Sequence, residues 1–331
     1  MVRLPLLGLR EYLGRIPTTD LYFLNPLAEL KRQGASIPPP RWLAPNGYLV
    51  GRTGIIVRYG GAEDIERLRS EGAKQIVYIV DDDFLAGGAD AGLPEKYRQR
   101  LAAFARGDWR TLKAAADIVI VPGTVLADIY GAKARIIPPA WNRPPATTEH
   151  FVATRRIDIV HLGTGSHRGD LASIAAPLAA LLKAHPRARL TLFAGDGAPD
   201  VLKRHPQVVV RRPLSWWRYS HALPRMRFHL ALYPLAPTPF NAARSANKLF
   251  EHALVGAASL MSPNPALREA AGADLAEIFV TGGPDDWAAR IEDCLAKPGA
   301  MSAQVEATYA RILATDPLAA AAREWRGILA A

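Results

Sequence analysis

Short apolar runs alternate with longer amphipathic stretches along most of the chain, and the alternation restarts once. GIIVRYG, beginning at Gly54, has the continuous apolar character of a buried strand. A charged helical stretch follows from Ala62 to Ala73, and KQIVYIVDDDF, Lys74 to Phe84, is a second strand ending in three aspartates. A helix-rich region from Pro94 to Ala116 leads to the strand DIVIVPG, Asp117 to Gly123, then a short helix TVLADIYG and a strand ARIIPPA. Trp141 to Arg156 is rich in Pro and Thr, lacks periodicity, and reads as an interdomain linker. The pattern then begins again: the strand IDIVHLGTGS, the helix DLASIAAPLAALLKAHP, the strands ARLTLFAGDG and VVVRRP, the strand RFHLALYPL from Arg227 to Leu235, and later AASLMSP and EIFVTGG. The tail from Ala303 to Ala331 is helical, with an apolar face around Trp325 and Leu329. Apolar strands alternating with helices predict parallel sheets covered on both faces. Two such series predict an α/β chain of two Rossmann-like units.

Composition fits this reading. A chain of 331 residues exceeds one comfortable core and suits two domains. Apolar residues are 49% and charged residues 22%, as in a globular protein. No apolar run reaches the roughly 20 residues needed to span a bilayer. The start, MVRLPLLGLREYLGR, is broken by Arg10, has no small-residue cleavage site, and makes a poor signal peptide. The single cysteine, Cys294, excludes an internal disulfide and a cysteine-rich metal site. The expected location is cytoplasmic. A peripheral contact with the inner membrane face is a further expectation, because Leu6, Leu9 and Leu13 can share a helix face beside Arg3, Arg10 and Arg15. A net charge of +10 favours anionic partners. With no run of five basic residues and no zinc-finger or RNP-like motif, nucleic acid is not the expected one.

Three places carry candidate chemistry. In PFNAARSANKLFEHALVGAASLMSP, Arg244 and Lys248 are four apart and share a helix face, with Glu251 three residues further on. Arg244 can fork onto a diphosphate, Lys248 can act as a point charge, and Glu251 can accept from two ribose hydroxyls. The bland alternative is a solvated charged face. HLGTGSHRGDL, His161 to Leu171, follows a strand and opens a helix: Gly163, Gly165 and Gly169 permit close backbone approach, and Thr164, His167 and Arg168 add polar groups. Its spacing is not the dinucleotide fingerprint. Asp81, Asp82 and Asp83 end a strand, where α/β sheets bind ligands. Asp83 is the candidate that orients or deprotonates an acceptor hydroxyl, against the alternatives of capping the next helix or facing solvent.

LGTGSHRGDL and NKLFEHALVGAASLMSP resemble the glycine turn with its THxxDL-type helix start, and the K-x-x-E-x-x-x-x-G segment, of GT-B glycosyltransferases, most closely the group-1 or family-4-like members. The resemblance covers most of residues 157 to 300. Over residues 1 to 150 it is weaker, carried by IVYIVDDDF and ADIVIVPG. It implies two facing Rossmann-like domains, an acceptor side at 1–145 and a nucleotide-sugar donor domain at 146–305, with a final helix, 306–331, packing back on the first. By position it implies that Arg244 and Lys248 neutralise the donor diphosphate, Glu251 binds ribose, and the turn at Gly163, Thr164 and Gly165, with His167 and Arg168, approaches the phosphates or the sugar. A nucleotide-diphosphate sugar is then a co-substrate. No other cofactor and no metal is expected, since basic groups and a helix N-terminus stabilise the leaving diphosphate. The implied reaction is a hexosyl transfer with retention to a hydroxyl of a glycan or lipid-linked glycan, as in polysaccharide biosynthesis. The sequence departs from the pattern at Ala243, where many such enzymes carry a glutamate eight residues before the second. That departure motivates one alternative, a non-catalytic scaffold of polysaccharide assembly; another is a nucleotide-sugar epimerase or phosphorylase on the same fold.

Overall fold

The computed structural model describes residues 14–152, 155–163 and 168–330. Its eleven described strands form two sheets. The first holds β1 (Arg41–Ala44), β2 (Gly47–Val50), β3 (Thr53–Val57), β4 (Gln75–Ile79), β5 (Ile118–Val121) and β6 (Ala134–Ile136), in that spatial order. β3 to β6 are parallel, and β1 and β2 add an antiparallel meander at one edge. The parallel series expected from Gly54 onward is present, and RWLAPNGYLV, which the sequence pattern leaves unassigned, is a hairpin.

Strand alternation sorts the side chains of this sheet. Ile56, Ile76, Tyr78, Val80, Val119 and Val121 meet the crossover helices through Leu68, Leu101, Leu112 and Leu126. Ile55, Val57, Val77, Ile79 and Ile120 face the opposite way, onto Leu21, Phe23 and Leu30 and onto Ala321, Ala322 and Trp325. Because the parallel strands follow one another in sequence order, their crossovers share one hand and one face. The other face is therefore left to the two ends of the chain, the helical segment 17–32 and the helix Pro317–Ala330. Trp325, fully buried, donates its Nε1–H to the Tyr22 carbonyl at 2.7 Å and lies 5.2 Å from the Phe23 ring. The final helix thus packs on the first unit. It is separated from the preceding helix, Pro298–Thr315, by Asp316 in a left-handed conformation.

The second sheet is all parallel, in the order β11 (Ala258–Met261), β10 (Leu230–Tyr233), β7 (Ile157–His161), β8 (Ala188–Leu192), β9 (Val208–Val210). This is a doubly wound order, and its direction of growth reverses between β7 and β10. Ile159, Leu190, Leu232 and Leu260 pack beneath the helices Ala175–Ala184 and Pro284–Ala296, while Val160 and Ala231 face Leu254 and Val255 on the other side. A crevice forms at the carboxyl ends of strands where the order reverses. The chain leaves β7 through Leu162 and Gly163 at that point.

Candidate functional site

Three segments converge on this switch point. The helix Asn247–Leu254 is amphipathic, with Leu249, Phe250, Ala253 and Leu254 buried. Burial holds it against the sheet and carries Lys248 to the end of β7, where Nζ donates to the Leu162 carbonyl at 2.9 Å. Lys248 also pairs with Glu251 at 2.5 Å. The Glu251 side chain is only 3% exposed. Its Oε2 accepts from Lys248 and from the Tyr219 hydroxyl at 2.7 Å, and its Oε1 accepts from Asn247 at 2.7 Å. Burial and the Glu251 charge push the Tyr219 hydroxyl far above the ordinary tyrosine range, so it stays a donor. Trp141 in turn donates to Asn247 at 2.8 Å. The spacing read from sequence does bring Lys248 and Glu251 together, as a buried ion pair rather than a solvated face. With three donors already on its carboxylate, Glu251 accepts from both hydroxyls of a ribose only if one of its present partners gives way.

The glycine turn is joined to the same cradle. Asp170, buried at the start of the helix Arg168–Ser173, accepts from the Ala236 backbone N–H and from Asn241 Nδ2, both at 2.9 Å. This ties the helix Arg168–Ser173 to the loop after β10. Gly163 is buried, and Arg168 is exposed, its charge acting on Asp200. Thr164, Gly165 and His167 lie outside the described residues.

Arg244 stands apart from Lys248. It follows the short helix Pro239–Ala242 and stacks on the Phe240 ring, 4.5 Å from its centroid. Phe240 and Ala243 are buried in the core of the first unit. Nη1 of Arg244 lies 3.4 Å from Asp82 Oδ1, while Nε and Nη2 are buried without a partner among the described residues. Burial disfavours the guanidinium charge, but Asp82, with Tyr233, Tyr97 and Asp170, together more than offset that and raise its pKa.

The aspartates divide their work. Asp83 Oδ1 accepts from the Leu85 and Ala86 N–H groups at 3.0 Å and caps the helix Phe84–Ala89. This is the capping alternative, with a typical contribution of about 1 kcal/mol. Asp82 is the residue that faces Arg244; it also takes Arg58 Nη2 and the Tyr97 hydroxyl, the latter at 3.1 Å. Burial works against its charge, yet Arg58 and Arg244 hold its pKa below the ordinary value. Asp81 accepts from Thr18 at 2.7 Å and Arg58 Nη1 at 2.6 Å, and burial raises its pKa.

Arg58 organises this cluster and went unnoticed in the sequence. Its φ of +61° is unusual for a side chain with a Cβ and costs on the order of 1–2 kcal/mol. The conformation is clamped from both sides, since its N–H donates to Ile79 at 2.7 Å and its carbonyl accepts from the Tyr78 hydroxyl at 2.9 Å. The one available signal was its place directly after a strand, in VRYG. His161 and His229 are buried in or beside strands, bonded to backbone, as structural histidines. Among the described residues, no group of three or more His, Cys, Asp or Glu side chains is placed to hold a metal.

Neither a family model nor a curated relative matches the chain. Solved structures do. A sucrose-phosphate synthase from Thermosynechococcus elongatus superposes with a TM-score of 0.58 at 12% identity, over 84% of this chain and 74% of the other. Anabaena HepE in complex with UDP and glucose gives 0.56 at 15%, over 83% and 77%. The pneumococcal O-GlcNAc transferase GtfA, in complex with UDP and GlcNAc, gives 0.53 at 11%, over 83% and 56%. With its doubly wound second sheet and returning final helix, the chain has the GT-B fold of these glycosyltransferases.

Proposed function

We propose that the protein transfers a sugar from a nucleotide-diphosphate sugar to a hydroxyl of a glycan or lipid-linked glycan. The observation that carries this is Lys248 at the carboxyl end of β7, bonded to Leu162 in the crevice where strand order reverses. A cation there, beside the buried Gly163, is suited to a diphosphate. Two of the similar proteins were solved with UDP and a sugar, which supports the same ligand class here.

In this reading Lys248 and Arg244 take up charge on the leaving diphosphate, and Glu251 meets the ribose after releasing Tyr219 or Lys248. The transfer is hexosyl, with retention and without a metal; the sugar contact absent at Ala243 comes from another group. Because Arg244 is anchored in the first unit through Phe240, it links donor binding to the acceptor side.

The test is binding and turnover with a panel of nucleotide sugars, read as released nucleotide and as the anomeric form of the product. In a Glu251→Gln background, where no buried carboxylate is left without its cation, Lys248→Ala is expected to weaken nucleoside-diphosphate binding far more than it lowers stability. Equal losses in both would mark Lys248 as structural, and no binding at millimolar concentration would end the proposal.

A further inference from the structure

A second cavity opens at the carboxyl ends of β3 and β4, in the first unit. It measures about 500 Å³, and its chemistry comes from Thr18, Arg58, Tyr59, Asp81, Tyr97 and Arg100. Adjacent parallel strand ends are where open α/β sheets take ligands, and the volume lies in the range of small-molecule sites.

Its groups have distinct states of engagement. Arg58 is engaged through Nη1 by Asp81 and through Nη2 by Asp82 and Tyr97. Arg100 is exposed and pairs with no carboxylate among the described residues. Its guanidinium lies over two rings, 5.6 Å from the Tyr59 centroid and 5.2 Å from that of Tyr97. Stacking of this kind uses the guanidinium faces and leaves its N–H edge for an anion. Of the two guanidinium groups that line the cavity, Arg58 is neutralised by Asp81 and Asp82, and Arg100 is the one without a carboxylate partner among the described residues. Asp81 lines the same cavity, with its side chain 18% exposed, and a carboxylate bonded to Thr18 and Arg58 keeps lone pairs for a hydroxyl.

We propose that this cavity binds a saccharide carrying one anionic substituent, with Arg100 taking the anion and Asp81 accepting from a sugar hydroxyl. It rests on the proposed transfer only in naming this saccharide the acceptor; the binding itself does not. A neutral sugar would satisfy Asp81 and leave the N–H edge of Arg100 to water.

The experiment is calorimetric binding of glucose 6-phosphate, glucuronate, glucose and inorganic phosphate to the full chain and to Arg100→Ala and Arg100→Lys, with UDP binding and thermal unfolding measured on each. One or both anionic sugars are expected to bind about tenfold or more tighter than glucose and than phosphate alone, the worth of one charge-assisted bond. Arg100→Ala is expected to erase the preference for the anionic sugar, Arg100→Lys to retain part of it, and UDP affinity to change in neither. Glucose binding as tightly as the anionic sugars, phosphate alone binding as tightly as they do, an unchanged preference in Arg100→Ala, or no anionic sugar bound at millimolar concentration would each overturn the proposal. UDP binding without anionic-sugar binding removes this proposal and leaves the donor reading standing. Arg100-dependent sugar binding without UDP binding does the reverse.

Discussion

Asp82→Asn is expected to tighten nucleoside-diphosphate binding, although it removes a buried charge from the cluster at the domain junction. Arg244 now holds one long contact, 3.4 Å to Asp82, with two further N–H groups unpartnered among the described residues. A diphosphate that recruits Arg244 must compete with that carboxylate. Coulomb's law at this separation gives a gross attraction of about 5 kcal/mol at an effective dielectric of about 20. Desolvation removes most of it, and charge-assisted bonds net about 1.5–3 kcal/mol. At 3.4 Å the contact is longer than such bonds usually are, so the lower figure applies, about 1.5 kcal/mol or roughly tenfold in affinity. Asp82→Asn also deprives Arg58 of one partner, so a lower melting temperature is expected beside the tighter binding. Asp81→Asn is the control: it weakens the same Arg58 cluster without touching Arg244, and a clearly smaller gain is expected. The assay is calorimetry with the tightest-binding nucleoside diphosphate at fixed ionic strength. Unchanged or weaker binding in Asp82→Asn, or an equal gain in Asp81→Asn, would refute the competition.

Other perturbations have equally definite signs. Tyr219→Phe removes one of the partners of Glu251 without removing its ring; if Glu251 must exchange Tyr219 for ribose, nucleotide affinity rises modestly while stability falls by about 1–2 kcal/mol in urea unfolding. Trp325→Ala empties a fully buried site joining the chain ends to the first sheet, and a loss of about 3–5 kcal/mol is expected. Gly256→Ala places a Cβ at a φ of +66° and 2.9 Å from the His150 ring, so destabilisation by more than about 1 kcal/mol should appear in the same assay. His252 is buried beside Lys248 and His161, and burial first, then those charges, depress its pKa well below 6.5. The unfolded chain therefore binds a proton that the folded one refuses, and stability falls as pH drops below about 6.5; the slope approaches 1.4 kcal/mol per pH unit from this group. His252→Gln should flatten that slope, and an unchanged slope would show that His252 is charged when folded.

Much of the fold was legible because periodicity reports burial. The strands at GIIV, IVYI and IVIV are continuous apolar runs, and IDIVH is nearly so; parallel sheets buried on both faces demand such runs. RWLAPNGYLV escaped because β1 is half-exposed, mixing polar and apolar residues, although its Asn46-Gly47 pair is a turn signal. At the site, spacing placed Lys248 and Glu251 on one face, but it could not report that Tyr219 and Asn247 would close over the carboxylate. Nor could it show Arg244 crossing to Asp82, a partner 162 positions away, or Phe240 seated in the first unit. Asp83 illustrates the reverse: a strand-end aspartate ahead of a helix has a local capping use, and here the local use is the one seen. The amphipathic start at Leu6, Leu9 and Leu13 lies outside the described residues; among those described, no helix is long and apolar enough to cross a membrane.

The most direct test of the donor site is a crystal structure with a nucleoside diphosphate bound. The account predicts the diphosphate within hydrogen-bond reach of Lys248 and Arg244, Asp82 released from Arg244, and Glu251 on the ribose with Tyr219 or Lys248 displaced. A diphosphate bound elsewhere, with the Lys248–Glu251–Tyr219 arrangement and the Arg244–Asp82 contact intact, would contradict it.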